Sequence, residues 1–210
     1  MTQYSTALRD AILALACLAS LLWLRPRIAG LALRRPVQLG FGLPAAAALC
    51  GVVRFALDPS WSDAHRALSQ LGGALGLPLL GLAALALARR FDWGKATWTV
   101  LLLTLVGLLI GARWLGLESH YRLMLNLASL LLILAAGLAR WPHRQPALAA
   151  AGVVALFLLA GLAVGTEGFI GALRRVDLFH ALLTLAYPLL AWLLFALREP
   201  LTTQIPVKTL

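Results

Sequence analysis

Three short clusters of ionisable side chains interrupt an otherwise apolar sequence. They are R-F-A-L-D-P-S-W-S-D-A-H at residues 54–65, R-W-L-G-L-E-S-H at residues 113–120 and R-R-V-D-L-F-H at residues 174–180. Each cluster contains an arginine, a carboxylate and a histidine. Carboxylates and imidazoles transfer protons or bind metal ions, and guanidinium groups bind phosphate and carboxylate. The three clusters are therefore candidate parts of one shared site.

The histidines of these clusters are candidate metal ligands. His65, His120 and His180 together could hold a zinc ion and leave its fourth position to water, with Asp58 and Asp177 as candidate catalytic acids or bases. A second interpretation stays open on the residues alone. In it, the arginines neutralise the carboxylates and the histidines bond to carbonyl groups or water, so that the network only fixes the loops.

Polar side chains at helical spacing extend from the clusters into the apolar sequence. Ser69 follows His65 by one turn, Asn126 follows the second cluster, and Tyr187 lies on the face of His180. Polar groups at that depth are costly unless they face a bundle interior or a watery cavity. We predict a polar pocket with these three residues among its substrate-binding groups, and with a floor near Gln70, Asn126 and Thr184.

The arginines of the three clusters suggest the charge of the ligand. Arg54, Arg113 and Arg174 recur at about 60 residues, the length of one helical hairpin. A guanidinium group can bind two oxygens of one phosphate or carboxylate. We therefore interpret the three arginines as binding residues for an anionic amphiphile such as a phospholipid. Pairing with the local acids is the alternative for each of them.

The composition indicates a membrane protein. The chain has 210 residues, 61% hydrophobic and 12% charged, with mean hydropathy +0.88, whereas soluble domains are about 45 to 50% apolar. Its net charge of +10 comes mostly from arginines between apolar runs, which is a topology signal and does not indicate a nucleic-acid partner. Cys17 and Cys50 both lie inside apolar runs, so no disulfide framework is expected.

Seven apolar runs are long enough, or nearly so, to cross a bilayer as helices. The predicted fold is all-α, a single transmembrane domain made of a lone first helix and three helical hairpins. The predicted segments are Ala7 to Leu24, Val37 to Leu57, Ala67 to Ala88, Thr97 to Leu117, Leu123 to Leu138, Ala147 to Thr166 and Leu178 to Leu197.

Charge between the segments predicts the orientation. Eleven of the 18 basic residues, counting Lys208 in the C-terminal tail, fall on one side, which the positive-inside rule makes cytoplasmic. The N-terminus is then outside and the C-terminus inside, and the three clusters lie outside. The bias toward Ala, Leu and Arg indicates a GC-rich bacterium, so the predicted location is the inner membrane with the polar site on the periplasmic side.

The predicted seven helices, His65 at the start of the third, and D-L-F-H-A-L-L-T-L-A-Y opening the seventh resemble the CREST superfamily of alkaline ceramidases, adiponectin receptors and haemolysin-III-like proteins. Its members are seven-helix membrane hydrolases, known or inferred, whose zinc is held by histidines. The resemblance implies His65 and His180 as ligands and Asp58 as a base or water-orienting group. Position 184 is threonine where that family has a second histidine in its seventh helix.

Two functions follow as expectations. The first is a membrane hydrolase, with zinc as its cofactor, that acts on a lipid amide or ester from the outer leaflet. The second is a non-enzymatic binding, sensing or assembly protein that uses the same pocket for an anionic ligand or a partner subunit.

Overall fold

The computed structural model describes residues 2–199 as a helical bundle. Seven of its helical segments are long and apolar enough to cross a membrane, as the sequence predicts. Lys208, used above for the orientation, lies outside the described residues. The only strands in the described part of the chain form a short hairpin, β1 (Phe169–Ile170) and β2 (Leu173–Arg174).

Eight α-helices make up the seven candidate spans, because the third span is divided by a π-helical segment. The sixth span also ends in a π segment. In chain order the helices are α1 (Thr2–Leu24), α2 (Arg34–Ala56), α3 (Ser62–Leu71), α4 (Leu77–Arg89), α5 (Lys95–Trp114), α6 (Glu118–Leu138), α7 (Arg144–Leu158) and α8 (Arg175–Arg198). The first π segment is Gly72–Gly76 and the second is Leu159–Val164.

Three helices begin several residues before the apolar runs that predicted them. Their first turns contain Asp63 in α3, Glu118 in α6 and Asp177 in α8. Carboxylates in a first turn interact favourably with the free N–H groups and the dipole of a helix. A hydropathy pattern identifies only the apolar part of a helix, so it does not predict a polar first turn that precedes this part.

The helices pack unequally. Helix α1 lies against α2 and α8, while α4 contacts α2, α6 and α8 near the centre of the bundle. Helix α5 is peripheral, since its main contacts are with α6 and the first π segment and only Trp98 and Leu105 on it are buried. The fully buried side chains include Phe41, Leu80 and Leu194.

The bundle has two chemically different ends. One end, which we call the acidic end, is formed by the N-terminal part of α1 and the connections at residues 57–61, 115–117 and 165–174. The basic end is formed by the connections at residues 25–33, 90–94 and 139–143. Six of the eight acids in the sequence belong to the acidic end, namely Asp10, Asp58, Asp63, Glu118, Glu167 and Asp177.

A buried arginine ties helices together at the basic end. Arg140, just after α6, donates to the carbonyl of Leu87 at 3.4 Å and to that of Leu197. The Leu197 carbonyl lies in the last turn of α8, where backbone acceptors have no partner within the helix. The Leu87 carbonyl also accepts from the Arg90 amide at 3.3 Å, so Arg140 is its second donor. Burial and the nearby Arg90 guanidinium lower the pKa of Arg140.

Candidate functional site

A cavity of about 510 Å³ lies at the acidic end, between α1, α2, α3, α6, α8 and the second π segment. Much of its wall is apolar and includes Leu123, Leu127 and Phe157. Its polar lining comes from four different helices, α1, α3, α6 and α8. These side chains are Asp10, His65, Ser69, Ser119, Arg122, Asn126, His180 and Tyr187.

The most buried ionisable contact of the cavity joins Asp10 of α1 to His180 of α8. The Asp10 side chain is 0% exposed and that of His180 9%, with Oδ1 of Asp10 2.8 Å from Nδ1 of His180. The two atoms are not aligned as a hydrogen bond, and Oδ2 of Asp10 has no partner among residues 2–199. A buried carboxylate without a full set of donors is costly, so a site of this kind needs a proton, a cation or a bound donor.

Gly51 makes room for this carboxylate. A Cβ added at Gly51 would lie 2.1 Å from Oδ2 of Asp10 and 3.1 Å from Cε1 of His65. No side chain fits there without displacing one of them. Asp10 and His65 therefore approach each other across a bare stretch of α2 backbone.

The second imidazole of the cavity has a defined orientation. Nδ1 of His65 lies 2.8 Å from the carbonyl oxygen of Ala47. A carbonyl only accepts hydrogen bonds, so Nδ1 carries the proton and donates it. In the neutral ring Nε2 then has a free lone pair, and the imidazole lines the cavity.

A second carboxylate near the cavity has a structural set of partners. Asp177 accepts hydrogen bonds from Thr6 at 2.9 Å and from Ser5 at 3.2 Å. Arg174 donates to the Thr6 hydroxyl at 3.4 Å. These bonds fasten the start of α1 to the start of α8, and Asp177 does not line the cavity. Asp10 and not Asp177 is the carboxylate available for chemistry.

Helix α6 contributes the cation of the cavity. Nε of Arg122 lies 3.8 Å from Oε1 of Glu118, which is a long and partly exposed ion pair. One turn further along, Oδ1 of Asn126 is buried and has no partner among the described residues. The Arg122 guanidinium can bind an anionic group, and Oδ1 of Asn126 on the same helix face can accept a hydrogen bond from a donor beside that group.

Both π segments border the cavity. The first supplies Gly72 and Gly73 and the second supplies Ala160, Gly161 and Leu162. Such interruptions of a helix are frequent at functional sites. Here they widen the space between helices beside the two histidines.

The cavity opens sideways between α6 and the second π segment, which make few contacts with each other. Leu123 on α6 and Leu162 on the π segment both line it, yet they are 42% and 62% exposed. A Cβ added at Gly161, also in the lining, would meet nothing within 4 Å. The opening therefore has an apolar rim that faces away from the bundle.

A family model matches residues 5–199 and is described as a family of unknown function, DUF6962. The chain belongs to DUF6962. No curated protein and no solved structure matches it. The resemblance to the CREST superfamily thus stays a prediction, and the function of this DUF6962 protein has to be argued from its own cavity.

In this DUF6962 chain, five residues predicted from the sequence meet in the cavity. They are His65, Ser69, Asn126, His180 and Tyr187. Tyr187 is buried between the rings of Phe41 and Phe157, at 5.9 and 5.5 Å between centroids. Neither Gln70 nor Thr184 forms the predicted floor, because neither lines the cavity and Thr184 donates to the carbonyl of His180.

Six predicted site residues lie outside the cavity, namely Arg54, Asp58, Arg113, His120, Arg174 and Asp177. The expected ion pair between Arg54 and Asp58 does not form, since α2 ends at Ala56 and helical spacing does not reach Asp58. Arg54 lies instead over the ring of Phe55 at 4.7 Å. Arg113 and His120 are exposed at helix ends.

Asp58 has a local role. It begins the 3-10 turn Pro59–Trp61 by accepting from the Ser60 amide at 2.9 Å and from the Ser60 hydroxyl at 2.7 Å. These hydrogen bonds lower the pKa of Asp58. The carboxylate is thus held in a turn at the surface and does not face the two histidines.

The predicted zinc centre is only partly assembled. His65 and His180 line one cavity, while His120 lies outside it. No group of three or more His, Cys, Asp or Glu side chains within residues 2–199 has an arrangement suited to a metal ion. As placed, His65, His120 and His180 do not form a three-ligand zinc centre. The side chains of the cavity therefore have to account for its chemistry.

The sequence analysis did not name Asp10, Ser119 or Arg122 as site residues, although all three line the cavity. Asp10 did carry a signal, because an acid within the first apolar run is a candidate functional residue. Its partner His180 lies at the other end of the sequence. Spacing within a segment cannot reveal that contact.

Proposed function

We propose that this protein is an integral membrane hydrolase that cleaves an ester or amide bond of an anionic amphiphile. The observation that carries the proposal is the buried contact between Asp10 and His180 beside the cavity. A carboxylate next to Nδ1 holds an imidazole in one orientation and stabilises the positive charge that develops on it. This leaves Nε2 as the ring nitrogen that can act on a ligand.

In the proposed reaction, Nε2 of His180 removes a proton from water while the water oxygen adds to the carbonyl carbon of the substrate. The bond from that carbon to the leaving oxygen or nitrogen then breaks, and His180 returns the proton to the leaving group. The products are a carboxylic acid and an alcohol or amine. His65, oriented by Ala47, supplies a second imidazole at the same cavity.

The lateral opening supports an amphiphilic substrate. An acyl chain can lie between Leu123 and Leu162 and extend into the bilayer while its polar end reaches the histidines. Arg122 favours an anionic group on the polar end, and Oδ1 of Asn126 can accept a hydrogen bond from a donor next to it. A water-soluble substrate would have no use for the apolar rim.

The proposed orientation follows the charge of the two ends. The basic end is cytoplasmic by the positive-inside rule, so the cavity, which lies at the acidic end, is on the opposite side. In a bacterial inner membrane the cavity would open to the periplasmic leaflet. Zinc remains a prediction from the resemblance, which the test below includes as a separate measurement.

The test uses the full chain in nanodiscs with two anionic probes, N-palmitoylglycine for amide cleavage and palmitoyl lysophosphatidic acid for ester cleavage. Release of palmitate is measured by mass spectrometry. We expect His180→Asn to lower the rate by roughly 10² to 10⁴, the usual contribution of a general base. Elemental analysis of the same samples measures bound zinc.

Two results would count against the hydrolase. One is no palmitate release above that of empty nanodiscs from either probe, and the other is equal rates for the wild type and His180→Asn. A folded Thr104→Ala variant, altered on the exposed face of α5, is the matched control.

A second function, an anionic-ligand receptor without turnover, is favoured by Arg122 and Asn126 alone. It predicts that a photoreactive N-palmitoylglycine crosslinks to α6 or to the second π segment with no palmitate released. In that case Arg122→Gln would abolish crosslinking while His180→Asn would leave it intact.

A further inference from the structure

A second cavity, independent of the proposed active site, lies at the basic end. Its volume is about 400 Å³ and it is bounded by α2 on one side and α5 on the other, with Leu79 of α4 between them. Helices α2 and α5 make few contacts with each other. The cavity is therefore a gap between two helices and opens at the surface of the bundle.

Three cations line this cavity. Arg34 and Arg35 come from the first turn of α2 and Lys95 from the first residue of α5. No carboxylate lines it, and none of the three forms an ion pair with a described residue. Nε of Arg34 is buried and has no hydrogen-bond partner within residues 2–199. Like charges gathered without a counter-ion favour an anionic ligand.

The backbone adds to this positive field. Helices α2 and α5 both begin at the cavity, and neither has a side-chain cap at Leu33 or Gly94. In α2 the Arg34 amide donates to the Leu31 carbonyl and Pro36 has no N–H, so most of the free amides belong to α5. The free N–H groups of a helix start bind anions, phosphate among them. Two helix starts and three cations thus converge on one space.

The rest of the lining is apolar. Leu39 on α2 and Leu102 on α5 lie one to two turns deeper than the cations, on either side of Leu79, and Trp98 lies between them and the rim. A cavity with a charged rim and an apolar wall suits a molecule with an anionic head group and hydrocarbon tails. A free phosphate ion would contact only the rim.

We propose that this basic cavity binds an anionic phospholipid, with its phosphate at Arg34, Arg35 and Lys95 and its acyl chains along Leu39 and Leu102. The site holds the lipid as a bound ligand, apart from the cavity that contains His180. It also joins the peripheral α5 to α2 through the lipid.

The experiment is a native mass spectrometry titration of the detergent-purified full chain with dioleoyl phosphatidylglycerol. We compare R35Q/K95Q with R25Q/R89Q, which removes the same charge from exposed residues of the same end that lie outside the cavity. With about 1 kcal/mol expected per cation, the first variant should bind roughly tenfold or more weakly. The second should stay within about twofold of the wild type.

Further ligands distinguish binding of a phospholipid from binding of a free phosphate. Dioleoyl phosphatidylcholine should bind at least about tenfold more weakly than phosphatidylglycerol, and neither inorganic phosphate nor glycerol 3-phosphate should displace the bound lipid. Equal losses in both double variants would overturn the proposal in favour of general surface charge. Displacement by inorganic phosphate, or equal binding of the two lipids, would also overturn it. Thermal unfolding of each variant confirms that R35Q/K95Q is folded.

Discussion

The acidic and basic ends of this bundle use ionisable groups in opposite ways. At the acidic end a carboxylate and two imidazoles lie inside the bundle around an open cavity, and the helices beside it contain π segments. At the basic end the buried cation Arg140 is bound to backbone carbonyls, and the cations beside the second cavity lie nearer the surface, where Arg35 and Lys95 are exposed. The acidic end keeps its buried ionisable groups available to a ligand, while the basic end uses its buried cation to complete the fold.

This difference separates function from stability within one fold. Oδ2 of Asp10 has no partner among the described residues, which costs stability unless a ligand or proton satisfies it. Arg140 satisfies an acceptor, the Leu197 carbonyl, that would otherwise be unpaired. Substitutions at the two ends should therefore change different measured quantities.

The largest expected effect is on turnover at the acidic end. Asp10→Asn should lower the rate of palmitate release about 100-fold, measured with whichever of the two probes the wild type cleaves. The reason is that a neutral amide cannot stabilise positive charge on His180. Asp177→Asn, which removes the same charge from a carboxylate outside the cavity, should lower stability and leave the rate of the folded protein nearly unchanged. A greater loss of rate in Asp177→Asn than in Asp10→Asn would reverse these roles.

A matched pair of glycine substitutions should show the contrast in packing. A Cβ at Gly137, near the basic end, would lie 2.4 Å from Cβ of Ala150 and 2.7 Å from the carbonyl oxygen of Pro146. Gly137→Ala should thus destabilise the protein by about 1 to 3 kcal/mol. Gly161→Ala, beside the open cavity, should not destabilise it. Unfolding in mixed micelles measures both, and equal losses would contradict the contrast.

Removing the buried cation of the basic end should cost stability without affecting chemistry. Arg140→Met leaves the carbonyl of Leu197 without its donor and that of Leu87 with one donor fewer, so we expect a loss of about 1 to 2 kcal/mol. Arg89→Met, on an exposed arginine at the same end, is the control and should be neutral. If Arg140→Met lowered palmitate release without lowering the unfolding midpoint, the separation of the two ends would fail.

The smallest effect concerns Asp58 at the surface of the acidic end. Its pKa is below the ordinary aspartate value because Ser60 donates twice to the carboxylate. The turn is therefore fully stabilised above the ordinary pKa of aspartate and loses that stabilisation as the pH falls through the lowered value. Carbon NMR of the Asp58 carboxyl should give a higher titration midpoint in Ser60→Ala than in the wild type. An unchanged midpoint would rule out the Ser60 hydroxyl as a cause and leave only the backbone amide of residue 60.

Much of the fold was readable from the sequence, since seven apolar runs predict seven candidate spans and the structure contains them. The sequence also singled out His65 and His180, which line the cavity, because polar side chains beside apolar runs are conspicuous. It did not predict the contact of His180 with Asp10, since that contact joins the first and last helices. Pairing of Arg54 with Asp58 does not occur, because Asp58 lies past the end of α2 and accepts hydrogen bonds from Ser60.

The bonds between α1 and α8 have a consequence for biogenesis. Helix α1 is synthesised before α8, so Asp10 is present in the growing chain before its partner His180. The hydrogen bond from Thr6 to Asp177 also forms only after this last helix has been made. The first helix therefore reaches its final contacts only when synthesis of the last helix is complete.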